Sequence, residues 1–227
     1  MIVIERIHLI LARQERSYNT PTKTLSNVDN MENTNQEIEQ HPWPPFIPDG
    51  AKVLIMGTFP PQPHRWSMDF YYPNRTNDFW YMMGLIFMND KFALYDKESK
   101  SFRLPDIINL LTEKHIALND TGRKVRRLKG NASDKYLEIL EPVPLYDLLA
   151  GMPECHDIAT TGEKAAAVIA NLTNTEIPKM GQYVTTQLIV DNKPRQLNIW
   201  RMPSTSRAYP LSLDKKAAFY ATLFRNL

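Results

Sequence analysis

The sequence has few of the residues that form disulfides or bind structural metal ions. Among its 227 residues there is one cysteine, Cys155. An intrachain disulfide and a four-cysteine zinc site are therefore both excluded, and a single thiol is typical of a protein of the reducing cytosol. The five histidines show no metal-ligand spacing. We expect a cytoplasmic protein that has no bound metal and no cofactor.

Long apolar runs are also absent. No stretch of 18 apolar residues occurs, so the sequence predicts no membrane-spanning helix. The apolar N-terminal stretch carries Glu5 and Arg6 in its middle, a pair that a secretory signal would not tolerate. A composition of 43% hydrophobic and 23% charged residues is that of an ordinary globular protein. The net charge of +2 is compatible with a polyanionic ligand but does not require one.

The N-terminal region differs in composition from the rest of the chain. Residues 1–41 hold four Lys/Arg against six Asp/Glu, whereas residues 42–227 hold 23 against 19. A polar segment of this kind buries too little surface to offset its ordering entropy. We therefore expect residues 1–41 to be a disordered extension and residues 42–227 to form one domain. We also expect Met31 to be the true start codon. A genuine extension with its own partner is the alternative, and N-terminal mass spectrometry of the protein from its native host distinguishes the two.

The hydrophobic pattern of the body alternates between strand and helix. Apolar runs typical of strands buried on both faces occur at residues 53–56, 115–118, 157–161 and 197–202. Helical periodicity occurs at residues 78–87, 133–140, 163–172 and 212–227. Residues 183–190 and 197–200 are predicted to form a hairpin that adds an antiparallel partner to the last strand. The whole pattern predicts an α/β domain with helices on both faces of a mainly parallel sheet.

Ligands of open parallel sheets bind at the carboxyl ends of the strands, so the loops that follow the strands are the candidate sites. Four segments in these loops stand out, in this order: Gly57 to Pro60, Tyr71-Tyr72, Asn77 to Trp80, and Pro203 to Ser206. Together they resemble the uracil-DNA glycosylase superfamily, and above all its mismatch-specific and hypoxanthine-DNA glycosylase branches. The resemblance covers residues 45–227.

This resemblance implies a three-layer α/β/α sandwich around a four-stranded, mainly parallel sheet. It also implies hydrolysis of the N-glycosidic bond of a damaged base that is flipped out of DNA. Asn77 matches the residue that positions water or contacts the base, and it is the predicted catalytic residue. Capping of the next helix is a second interpretation of Asn77, compatible with the first. Tyr72 matches the aromatic residue that stacks on the base, with a core tyrosine as the alternative.

The other predicted site residues form two groups. The base-binding group is Gly57, Thr58, Phe59, Tyr72 and Asn119. The DNA-binding group is Thr161, Gly162, Pro203, Ser204, Thr205, Ser206 and Arg207. Asn119 and Asp120 could read the edge of an extruded base through their amide and carboxylate groups. Both also have a simpler interpretation as turn or cap residues. Asp69 or Asp78 could supply a substitute carboxylate. The five Lys/Arg of residues 123–129 favour phosphate contacts or, equally, a solvated face.

Two positions depart from the family pattern. Phe59 stands where the family usually has an Asp or Asn that positions water, and Met202 stands where it often has a His or Asn that assists the leaving base. We expect a monomeric DNA glycosylase of base-excision repair that removes a deaminated or mismatched base of the uracil or hypoxanthine type. The same departures favour the alternative, a non-catalytic nucleic-acid- or nucleotide-binding module that keeps the fold. A hydrolase of free nucleosides is a third interpretation.

Overall fold

Ten strands are present in the part of the chain that the structure, a computed structural model, describes, namely residues 37–129 and 134–227. In chain order they are β1 (Ile38–Gln40), β2 (Val53–Gly57), β3 (Tyr95–Asp96), β4 (Ser101–Phe102), β5 (Ile116–Asp120), β6 (Gly122–Arg127), β7 (Leu137–Pro142), β8 (Asp157–Thr161), β9 (Gln182–Val190) and β10 (Lys193–Met202). The α-helices of the same ranges are α1 (Phe79–Met88), α2 (Leu104–Glu113), α3 (Leu145–Ala150), α4 (Glu163–Thr173) and α5 (Leu213–Leu223).

The central sheet has five strands in the order β5-β2-β8-β10-β9. The first four are parallel, as the apolar runs predict, and β9 pairs antiparallel with β10 as the predicted hairpin requires. The four-stranded sheet implied by the resemblance is therefore corrected to five, because the hairpin makes β9 a full member of the sheet. The carboxyl ends of β2, β5, β8 and β10 meet at one edge.

Helices cover both faces of this sheet. Val53 and Ile55 of β2 face a core that α1, α2 and α5 complete, whereas Leu54 and Met56 face a second core that α3 and α4 complete. Side chains of a strand alternate between the two faces of the sheet. Because both faces of β2 are buried, each of its side chains must be apolar, which explains the uninterrupted apolar run. The predicted helices at 78–87, 163–172 and 212–227 correspond to α1, α4 and α5. The helices α2 and α3 were not predicted.

A smaller antiparallel sheet, in the order β1-β6-β7, replaces the helix predicted over residues 133–140. That prediction is wrong, because Asp134–Tyr136 form one 3-10 turn and Leu137–Pro142 form β7. Burial along β7 alternates from residue to residue, as in a strand with one covered face.

The predicted basic segment, residues 123–129, lies mostly on β6 and is engaged within this sheet. Arg123 and Lys124 both contact Glu141, and Arg126 contacts Glu138. Arg127, whose side chain is 8% exposed, pairs with Glu39. These ion pairs neutralise most of the positive charge of the basic segment. They favour a structural role for the segment over a role as a phosphate-binding surface.

Residues 38–41, which precede the predicted domain boundary at residue 42, take part in the small sheet. Ile38, Glu39 and Gln40 pair with β6, and the backbone N–H of His41 donates to the carbonyl of Arg123 over 2.8 Å. Met31 and the rest of residues 1–36 lie outside the described residues, as do residues 130–133. Within the described ranges, no helix combines the length and the apolar composition that crossing a membrane would demand.

Cys155 is an inert core residue. It is 2% exposed, and burial raises the pKa of its thiol to about 12. Because the thiolate is the reactive form, we expect no modification by iodoacetamide at about pH 8 in the native protein and complete modification in denaturant. Intact-mass spectrometry measures both, and rapid labelling of the native protein would contradict the buried position.

Candidate active site

A cavity of about 270 Å³ opens at the carboxyl edge of the central sheet. It draws its walls from the loops after β2, β5, β8 and β10 and from the segment before α1. The lining residues are Gly57, Thr58, Phe59, Pro60, Pro61, Arg65, Tyr72, Pro73, Asn74, Thr76, Asn77, Asp120, Asp134, Thr161, Ser204, Thr205, Ser206, Arg207 and Ala208. This edge is where an open parallel sheet places a ligand.

The floor of the cavity is set by the register of β2 and β5. Gly57 stands opposite Asp120 in that pairing. A Cβ on Gly57 would lie 2.5 Å from Asp120 Oδ1 and 3.2 Å from the Tyr72 hydroxyl oxygen. Only a glycine leaves room for this carboxylate and this phenol to converge on the same point.

Tyr72 forms an aromatic wall. Its ring stacks on Phe79 with centroids 3.8 Å apart, and its hydroxyl lies 3.2 Å from Thr161 Oγ1. The φ of Tyr72 is 52°, in the left-handed region that bulky residues rarely adopt. Burial raises the pKa of Tyr72 well above its usual value and the charge of Asp120 adds to this, so the phenol stays neutral. One ring face is occupied by Phe79, and Tyr72 is also one of the residues that line the cavity.

Asn77 lies two residues before Phe79, the first residue of α1, and its side chain satisfies a backbone donor at the start of that helix. Its Oδ1 accepts a hydrogen bond from the backbone N–H of Phe79 over 2.9 Å. This bond fixes the orientation of the amide, because the oxygen must face the donor. The amide nitrogen is then the group that Asn77 can offer to the cavity. Asn77 can therefore donate a hydrogen bond to a ligand through its side-chain amide N–H.

Asp134 is a second carboxyl group in the cavity wall. Its Oδ2 accepts from Thr58 Oγ1 over 3.0 Å. Burial raises the pKa of Asp134 above its ordinary value, the Thr58 hydrogen bond opposes this, and the charge of Asp120 adds to it. Asp134 therefore retains its proton to a higher pH than an exposed aspartate does.

This shift predicts a pH-dependent gain in stability from Asp134→Asn. The folded protein holds the Asp134 proton more tightly than the unfolded chain, so ionisation of Asp134 destabilises the fold at neutral pH. The asparagine cannot ionise and keeps an oxygen for Thr58. We expect a higher Tm than wild type at about pH 7 and a difference that shrinks toward about pH 3, below the ordinary pKa of an aspartate, where the carboxyl is protonated in both states.

Calorimetry across that pH range measures the difference. Asp106→Asn, at an exposed position on α2, controls for the loss of one negative charge. A stability gain that does not change with pH would contradict the assignment.

The loop after β10 is fixed by a buried ion pair. Lys216 Nζ lies 2.7 Å from Asp78 Oδ2 and 2.8 Å from the Ser206 carbonyl oxygen. The backbone N–H of Asp78 donates to the Thr205 carbonyl. Arg207 also contacts Asp78, at 3.3 Å, but its side chain remains 58% exposed. The contacts leave Ser206 and Arg207 at the surface of the cavity mouth.

Most of the predicted site residues meet in this cavity. The exceptions are Asn119, Gly162 and Pro203. Asn119 Oδ1 accepts from the Tyr71 hydroxyl beneath the site, and the carbonyl of buried Pro203 accepts from Tyr220. Gly162 precedes α4 with a φ of 121° and packs against Ser204.

The two candidate substitute carboxylates are engaged elsewhere. Asp69 accepts from the indole N–H of Trp43, and Asp78 pairs with Lys216. Met202, the position that departs from the family pattern, is 1% exposed in the core.

Two charged residues of the cavity wall, Arg65 and Asp134, were not considered as site residues from the sequence. Asp120 adjoins the predicted Asn119, but only the register of β2 and β5 shows which of the two faces the cavity. Asp134 is far from the other motifs in sequence, and Arg65 lies in a 3-10 turn, Pro63–Arg65, with no distinguishing pattern.

Comparison with known proteins adds one finding about the fold. No protein-family profile matches the chain, and no curated protein matches its sequence. Among solved structures, it is similar to the solution NMR structure of a protein from Methanosarcina acetivorans that is provisionally named a uracil DNA glycosylase. The TM-score is 0.54 at 18% identity, over 83% of this chain and 98% of that chain. This likeness supports a uracil-DNA-glycosylase-like α/β fold and does not extend to activity.

Proposed function

We propose that the protein is a DNA N-glycosylase that hydrolyses the glycosidic bond of a deaminated or mismatched base flipped into the cavity. The observation that carries the proposal is that Tyr72 and Asn77 line a single cavity. Its volume corresponds to about nine water molecules of about 30 Å³ each, which is room for one nucleobase.

The chemistry of the cavity suits a departing base. Cleavage leaves negative charge on the base, and a donor held in place before the reaction stabilises that charge. Asn77 is such a donor, because its oxygen is fixed by Phe79. Stacking on Tyr72 would hold the extruded base against this amide. Phe59 contributes an apolar wall and no polar group.

The mouth of the cavity suits a nucleic-acid backbone. Arg65 and Arg207 both line it, and Ser206 is exposed beside them. Two phosphate contacts would lower DNA affinity about tenfold between 50 and 200 mM salt. We expect Arg207→Ala to lower the slope of log affinity against log salt by about one, measured by fluorescence anisotropy. An unchanged slope would remove Arg207 from the DNA interface.

Oligonucleotides that hold one uracil, hypoxanthine, xanthine or mismatch test the proposed activity. We expect alkali-labile abasic sites from at least one of them and much slower release from the free nucleoside. Similar rates for nucleoside and oligonucleotide would instead favour a nucleoside hydrolase. DNA binding without any base release would favour the non-catalytic module, for which Phe59 and Met202 are the supporting observation.

A further inference from the structure

One edge of the central sheet is formed by β9, a strand of nine residues. It stands last in the strand order, so one side of β9 pairs with β10 and the other side faces no strand of the described ranges. The sequence of β9 contains no charged residue, no proline and no glycine. Its pairing with β10 is continuous, without a bulge. An edge of this kind is a template for pairing with a further strand.

The other sheet edges carry the features that normally prevent such pairing. The edge of β5 is covered, because the backbone of Phe46 exchanges two hydrogen bonds of 2.9 Å with that of Leu118. The edge strand β7 carries Glu138, Glu141 and Pro142. The strands β1, β3 and β4 have at most three residues each. Charged side chains, proline and short length are the usual protections of a sheet edge, and among the described strands β9 is the edge that lacks them.

The turn between β9 and β10 determines which backbone groups of β9 point outward. Asp191 and Asn192 form a two-residue turn with φ of 50° and 59°, and Val190 pairs with Lys193 across it. This flanking pair is hydrogen-bonded, and such pairs recur at every second residue of an antiparallel ladder. The N–H and C=O groups of the odd-numbered residues therefore point away from β10. These residues are Tyr183, Thr185, Gln187 and Ile189. All of them are exposed.

The outward residues are arranged so that β9 is complementary to itself. A two-fold axis perpendicular to the sheet and beside Thr186 places a second β9 antiparallel to the first. Tyr183 and Ile189 lie three residues on either side of Thr186, so the Tyr183 of each copy lies opposite the Ile189 of the other. They are the large hydrophobic side chains of β9 that are exposed, by 49% and 60%. Cross-strand pairs of an aromatic and a β-branched residue stabilise a sheet.

We propose that two copies of the chain pair through β9 in an antiparallel, two-fold symmetric dimer centred on Thr186, which joins their five-stranded sheets into one. The outward residues form four hydrogen-bonded pairs with two bonds each, or about eight hydrogen bonds, where a typical interface has about ten. A symmetric contact sets a surface against itself, and the uncharged β9 brings no like charges together. The inference is independent of the proposed function, and no residue of β9 lines the cavity.

Sedimentation velocity of the full chain at increasing concentration tests for the dimer. The contact is a single strand edge, so we expect a weak interface with a dissociation constant of about 100 µM or tighter. More than half of the chains would then be dimeric at about 200 µM. A chain that remains monomeric at that concentration, as the sequence analysis expects, would overturn the inference and leave the edge for a strand of a different protein.

Charged substitutions at two outward positions test the register of the contact. Thr185 of each copy lies opposite Gln187 of the other. Thr185→Lys combined with Gln187→Lys sets like charges against each other, and we expect dimerisation to weaken at least about tenfold. Thr185→Lys combined with Gln187→Glu sets opposite charges against each other and should dimerise at least as well as wild type. A register shifted by two residues would set one of these positions against itself and abolish dimerisation in both variants.

A third variant removes net charge as an explanation. Thr185→Glu combined with Gln187→Glu should also be monomeric alone, and an equal mixture of it with the doubly lysine-substituted chain should form heterodimers. Both positions are exposed, so circular dichroism should show nearly unchanged melting temperatures for all variants at about 1 µM, where wild type is monomeric. A dimer that persists in the doubly lysine-substituted chain, or a mixture that stays monomeric, would contradict pairing through β9.

Discussion

Asn77→Asp is expected to lower the rate of base excision by about 10²- to 10³-fold while leaving the melting temperature close to that of wild type. The substitution keeps an oxygen for the Phe79 N–H, so the cap survives. It removes the amide N–H that would face the departing base, and loss of one such donor costs this much in comparable sites. Single-turnover kinetics and thermal unfolding measure the two effects.

Asn77→Ala serves as the comparison variant for that experiment. Alanine removes both the cap and the donor, so we expect the same loss of excision together with a loss of about 1 kcal/mol in the free energy of unfolding. If Asn77→Asp retained wild-type excision and Asn77→Ala lost stability alone, Asn77 would be a helix cap and no more.

Lys216→Met is expected to give the largest loss of stability, about 3–5 kcal/mol. The side chain of Lys216 is fully buried, and its removal leaves Asp78 without its shortest charge partner. Breaking one side of a buried ion pair costs this much, because the remaining charge stays desolvated. For a domain of this size the loss corresponds to a Tm lower by about 6–20 °C.

Lys215→Met is the matched control, since Lys215 is the exposed neighbour on the same helix. We expect it to change the free energy of unfolding by less than about 0.5 kcal/mol. Urea denaturation of both variants measures the difference. Equal stability of the two would show that the Lys216–Asp78 pair does not hold the loop after β10 against the start of α1.

The elements that sequence reasoning predicts well are those whose signal is local. The run from Val53 to Met56 is apolar because both faces of β2 are buried, and that pattern is visible without a structure. The apolar residues of α1, α4 and α5 are a local signal in the same way. The helix predicted over residues 133–140 was wrong, because residues 137–142 form a strand that pairs with β6. The spacing of apolar residues along the sequence does not show that pairing.

The residues of the candidate site also differ in whether their signal is local. Tyr72, Asn77 and the residues Ser204 to Arg207 belong to short motifs, and the structure brings them into one cavity. Asp120 depends on strand register, which places Gly57 and not another residue beside it. His41 lies in a polar segment that looks like part of a tail, because its contacts come from distant residues. Contacts between residues distant in the sequence cannot be predicted from the composition of the surrounding segment.

Mass spectrometry of the reaction in H₂¹⁸O tests whether the protein hydrolyses the glycosidic bond. Duplexes with one hypoxanthine or one uracil would be incubated with wild type and with Asn77→Asp. We expect wild type to release a free base and leave an abasic strand that carries ¹⁸O at the sugar C1′, and we expect the variant to form both products far more slowly. DNA binding by wild type without release of any base would contradict it.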